Sequence, residues 1–193
     1  VAAARAWLTG FGLASALPRE QASATPSDII AGTLRYMAPE QTGRMNRSVD
    51  ARSDLYALGA TFYEMLTGVA PFQVTDPAAL MHAHLAQQPV AADLRVPSLP
   101  NTLSRLVMKL LAKAAEDRYQ TAAGLELDLR RCLSDWERQG SLDDFVLGTA
   151  DVPRQLLVPE RLYGREREVA ALRAAFDRVA DQGRIEFVRV HGP

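Results

Sequence analysis

The sequence predicts a mainly α-helical lobe, then a linker, then the first helix and strand of an α/β domain. Three observations carry that expectation. Four segments between Leu55 and Trp136 place apolar residues at helical spacing. The composition changes after Gly140, where periodicity stops and prolines and acids are scattered. The last stretch sets an amphipathic helix ahead of a β-rich run, the order in which an α/β domain opens.

From Val1 to about Leu34 the chain is rich in Ala, Ser, Thr and Pro, with few apolar residues in any register. Trp7 and Leu8, ahead of Gly10, Phe11 and Gly12, could close a strand, and residues 18–29 read as an exposed loop. Leu55, Leu58, Phe62, Met65 and Leu66 then fall on one helical face, with Gly68 as the stop. Asp76 followed by Pro77 is a helix start, because the carboxylate caps the first turn and proline is pre-set for it. Leu80, Met81 and Leu85 give that helix its apolar face before Pro89. Leu103, Leu106, Val107, Leu110 and Leu111 form the cleanest stripe. Thr121 caps a further helix whose expected face is Leu125, Leu129, Cys132, Leu133 and Trp136, ending near Gly140. Val169, Leu172, Phe176 and Val179 mark another helix, stopped by Gly183, and residues 185–190 read as a short buried strand.

Composition excludes several function classes. With 48% hydrophobic and 23% charged residues the chain is globular rather than disordered. A formal net charge of -1, with basic residues dispersed among acids, argues against nucleic acid as a partner. No apolar run approaches the ~20 residues a membrane span needs. The single cysteine, Cys132, forms no internal disulfide and fits a reducing, cytoplasmic setting as a small apolar residue. His82 and His84 are two apart, so they diverge on a helix and make a poor metal pair. Both ends read as cut, which makes the sequence a fragment of a longer protein.

The most informative stretch is residues 32–59, GTLRYMAPEQTGRMNRSVDARSDLYALG. It holds Gly-Thr-x-x-Tyr-Met-Ala-Pro-Glu, then Asp-x-x-x-x-Gly opening an apolar helix. Together, and in that order, these patterns resemble the end of the activation segment and the following helix of a eukaryotic-type Ser/Thr protein kinase. The resemblance covers roughly residues 1–138, the C-terminal lobe from the activation segment onward. It implies that Glu40, closing Ala38-Pro39-Glu40, forms a buried ion pair with Arg118. It implies that Asp54 fixes the catalytic loop, that Gly59 lies on the central helix, and that Thr33 lies by the substrate groove and favours Ser/Thr acceptors. Gly10-Phe11-Gly12 stands where the family has Asp-Phe-Gly, so glycine replaces the metal-binding carboxylate. Neither a Gly-rich loop with a Val-Ala-x-Lys strand nor a His-Arg-Asp loop occurs in these residues.

A second resemblance follows a linker at residues 139–160. Arg161 to Glu166, with Gly164, Arg165 and Glu166 in a turn, then the helix and residues 185–193 look like the entry to an AAA-type P-loop ATPase. Gly192 would be the first glycine of its phosphate loop. The combination resembles bacterial multidomain sensor kinases. It implies a cytoplasmic signalling protein that uses ATP and Mg2+ to phosphorylate protein Ser or Thr, with a protein substrate or partner domain. Gly10 keeps a second reading open, a pseudokinase acting as a regulatory interaction module. Either way the chain itself is expected to be inactive and to bind ATP and magnesium poorly.

Overall fold

The computed structural model describes residues 7, 9, 34–44, 47–153, 164–183 and 185–189. The chain divides into two compact units, Val1–Gln155 and Leu156–Pro193. All regular structure among the described residues is helical.

The first unit is built around α1 (Ala51–Thr67). Asp50 caps its start by accepting from the Arg52 amide at 2.9 Å, and Gly68, at φ 75°, ends it. Then come α2 (Pro77–Ala86), α3 (Ala92–Arg95), α4 (Asn101–Leu110) and α5 (Ala122–Gln139). Asp76 caps α2 through the Ala79 amide at 2.7 Å. Thr121 caps α5 through the Gly124 amide at 2.9 Å. Short 3-10 turns cover Leu34–Tyr36, Pro39–Thr42 and Ala115–Asp117.

The core lies between α1 and α4. Tyr56, Ala60 and Tyr63 pack with Ala38, Val107 and Leu111, while Leu55 packs with Leu106, Leu110, Tyr119 and Leu125. Gly59 makes this approach possible, because a Cβ there would lie 2.5 Å from the Leu110 Cβ. The buried face of α1 is rotated from the expected one: Met65 is exposed, and Tyr56 and Tyr63 are fully buried in its place. On α5 the expected face is corrected too. Leu125 and Cys132 are buried, but Leu133 and Trp136 face solvent and Asp128 and Asp135 are buried. Asp128 is tolerated there because it accepts from the Tyr119 hydroxyl at 2.6 Å and the Gly148 amide at 2.7 Å. Residues 143–151, expected as linker, pack on this unit.

The second unit holds α6 (Glu166–Gln182), ended by Gly183 at φ 62°. Leu172, Phe176 and Val179 are exposed along it. The strand expected at residues 185–190 is not formed over 185–189, and Val190 lies outside the described residues. A strand needs a neighbouring edge for its amides and carbonyls, and no strand is present among the described residues to supply one. Ile185 and Phe187 are exposed instead of buried.

Candidate functional site

The anchor of residues 34–42 is the most elaborated polar site. Pro39 opens a 3-10 turn in which the Gln41 side chain accepts from the Ala38 amide at 2.9 Å. The Thr42 hydroxyl donates to the Pro39 carbonyl at 2.7 Å. This places the Glu40 carboxylate inward, 3% exposed, against α1.

Arg118 meets it there, 1% exposed, after the 3-10 turn that follows α4. Its Nη1 and Nη2 donate to the two Glu40 oxygens at 2.7 and 2.8 Å, a bidentate pair. The other donors reach the carbonyls of Ala112, Arg52 and Lys113 at 2.8, 3.1 and 3.0 Å. The guanidinium also lies over the Tyr56 ring, 4.9 Å from its centre. The Ser53 hydroxyl donates to Glu40 at 2.6 Å. Burial alone would raise the Glu40 pKa, but the bonds and charge of Arg118, with Ser53, outweigh it and hold the carboxyl below its ordinary value.

A second layer surrounds the pair. Arg52 binds Asp50 and donates to the Gln120 side chain at 2.9 Å, and Gln120 donates to the Arg118 carbonyl at 2.8 Å. Arg47 pairs with Glu116 at 2.7 Å. The Tyr36 hydroxyl donates to Glu64 at 2.5 Å, a bond that with burial raises the phenol pKa. Sequence reasoning missed Ser53, Arg52 and Gln120: Ser53 meets Glu40 13 residues away and Arg52 meets Gln120 68 residues away, and such pairs leave no periodic signal.

His84, on α2, is buried and bonds the Tyr56 hydroxyl through Nδ1 at 2.9 Å, with Phe72 edge-on at 5.0 Å. Burial, then the charge of Lys113, pushes its pKa down to about 4. Lys113 donates to the Ala83 and His84 carbonyls at 3.1 and 2.8 Å. Burial and the nearby Arg118 lower its own pKa to about 8.

Glu40 and Arg118 are brought together, with Ala38 and Pro39 buried beside them. Gly59 lies in the α1–α4 contact, whereas Asp54 is exposed in the first turn of α1. Gly10, Phe11, Gly12, Thr33 and Gly192 lie outside the described residues. In the second unit Gly164 is exposed at φ 72°, Arg165 flanks α6 and Glu166 opens it. Among the described residues no group of three or more His, Cys, Asp or Glu could hold a metal ion. No helix among them is long and apolar enough to cross a membrane. Chemically the described residues around Glu40 and Arg118 form an anchor for a backbone segment.

Comparison with known proteins gives the family. A hybrid signal transduction histidine kinase G of Dictyostelium discoideum is 38% identical over 83% of this chain and 5% of its own length. The serine/threonine-protein kinase PknB of Mycobacterium tuberculosis is 41% identical over 63% of this chain and 19% of its own. PknB of Mycobacterium leprae is 35% identical over 91% of this chain and 27% of its own. The chain thus spans about a quarter or less of the length of these relatives. The protein kinase domain family matches residues 3–128, and with that match over the core and the Glu40–Arg118 anchor, the chain belongs to the protein kinase family.

Proposed function

We propose that these residues form the substrate-side part of a Ser/Thr protein kinase domain, acting in the whole protein to transfer the γ-phosphoryl of ATP to a protein Ser or Thr. The observation that carries this reading is the buried bidentate Glu40–Arg118 pair, which clamps residues 34–42 to α1. A fixed backbone there is what a groove for an extended acceptor peptide requires, since phosphoryl transfer is mostly positioning and charge neutralisation. Thr33, one residue before this segment, is the proposed acceptor-side contact. ATP and Mg2+ belong to the whole protein and not to these residues. The PknB relatives, named as serine/threonine-protein kinases, support the acceptor class. Assay of the 193-residue chain with labelled ATP and a generic protein substrate should give no transfer, whereas the full-length protein should transfer. Transfer by the chain alone would overturn the division of labour.

Gly10 favours a second reading, a pseudokinase used as a regulatory module, because glycine offers no carboxylate to a metal ion. Gly10→Asp in the full-length protein should raise autophosphorylation if the missing ligand limits the rate. An unchanged rate would leave that reading without its support. Residues 161–193 are proposed as the opening of an AAA-type ATPase domain in a multidomain bacterial signalling protein. The positive-φ turn at Gly164 and the amphipathic α6 support it. ATP binding by a longer chain extending through the phosphate loop tests it.

A further inference from the structure

Residues 143–151 leave α5 and run back across α4 and α5. The Thr102 hydroxyl donates to the Asp143 carbonyl at 3.1 Å, and Arg105 pairs with Asp144. Phe145 is buried under Arg131, whose guanidinium lies 4.1 Å from the ring centre. Leu147 joins the core cluster of Leu55, Leu106 and Tyr119. The Gly148 amide donates to Asp128.

The strap ends on Asp151, which occupies a built seat. Its carboxylate accepts from the Gln120 amide at 2.5 Å, the Thr121 amide at 2.9 Å and the Thr121 hydroxyl at 2.7 Å. That hydroxyl in turn caps α5 through Gly124. Gly124 makes the room: a Cβ there would lie 2.4 Å from the Asp151 Oδ1. Gln120, held by its amide, uses its side chain to hold Arg52 and the Arg118 carbonyl. Asp151 is thus joined to Glu40 by consecutive hydrogen bonds through Gln120 and Arg118.

We propose that residues 143–151 are an integral strap of the kinase-like lobe and that Asp151 is a positioning residue for the Glu40–Arg118 anchor. Displacing the strap by force or binding beyond Pro153 then loosens the segment that Glu40 holds. The proposal concerns the lobe's own coupling and does not depend on whether the lobe transfers phosphate.

Amide hydrogen exchange on the 193-residue chain tests it. Asp151→Ala should raise exchange about tenfold at residues 113–121 and at Glu40, Gln41 and Thr42, because charged hydrogen bonds of this kind are lost. Gly124→Ala should do the same while leaving Asp151 intact, and alanine favours the helix, so a folding failure is not expected from it. Asp151→Asn, which keeps an acceptor oxygen, should fall between Asp151→Ala and the unaltered chain. Asp93→Ala, which loses the Ser104 and Asn101 bonds beside α3, is the control for general destabilisation and should not single out these residues. If any folded Asp151→Ala or Gly124→Ala protein speeds exchange in 143–151 but leaves residues 40–42 unchanged, the coupling is wrong. The same holds if Asp93→Ala reproduces the pattern.

Discussion

Replacing Arg118 by methionine removes one charge but exposes a whole set of partners. Of its side-chain donors Glu40 would keep only the Ser53 hydroxyl, and the carbonyls of Ala112, Lys113 and Arg52 would each lose a donor in a buried site. Breaking a buried pair from one side costs ~3–5 kcal/mol, because the remaining charge stays desolvated. Against a typical domain stability of ~5–15 kcal/mol, that is a large fraction of the whole. Urea unfolding followed by far-UV circular dichroism measures it. Arg118→Lys should recover less than about half of the loss, since one ammonium lacks the planar fork that reaches both carboxylate oxygens. Adding Glu40→Gln should cost little more once Arg118 is gone, giving a coupling of at least ~2 kcal/mol in the double-mutant cycle. The pH dependence carries a sign. The Glu40 carboxyl lies below its ordinary value in the fold, so its contribution is present above the unfolded pKa and lost as pH falls through the folded one. Glu40→Gln should therefore flatten the acid limb of stability. A loss below ~1 kcal/mol for Arg118→Met, or simple additivity with Glu40→Gln, would refute the reasoning.

Three further outcomes are expected. Gly59→Ala should destabilise the first unit by ~1–3 kcal/mol in thermal or urea unfolding, because the new methyl meets Leu110 across the α1–α4 contact. Asp128→Ala should cost ~1–3 kcal/mol in the same assay by orphaning the Tyr119 hydroxyl and the Gly148 amide. His84 is held neutral with a pKa near 4, so unfolding binds its proton more readily. Stability should be intact above about pH 6.5 and fall as pH drops toward 4, by ~3 kcal/mol in all. A His84→Gln protein showing the same decline would contradict that assignment.

How much of this was legible depends on the kind of signal. Ala38-Pro39-Glu40, the cap at Asp76, the stop at Gly68 and the stripe from Leu103 to Leu111 are local, and the helices they mark are present. Arg118 was found only through a resemblance, since nothing near it in sequence points to Glu40. The buried faces of α1 and α5 escape periodicity because tyrosine and aspartate score as polar. Tyr56, Tyr63 and Asp128 are inside because each finds a hydrogen-bond partner there. Residues 143–151 looked like linker because a strap held by single side chains has no period. The run at 185–189 shows the opposite failure, where β-rich composition promises a strand that pairing must complete.

Lys113 gives the lobe an unusual chemical handle. The chain has only two lysines, Lys109 and Lys113, and the rest of its basic side chains are arginine or histidine. With its pKa lowered to about 8, Lys113 holds a substantial fraction of free amine in mildly alkaline buffer, while an ordinary lysine stays protonated. Amine-reactive labels should therefore reach Lys113 in such a buffer. Because Lys113 is tied to the carbonyls of Ala83 and His84, the extent of labelling becomes a reporter of how firmly α2 is seated.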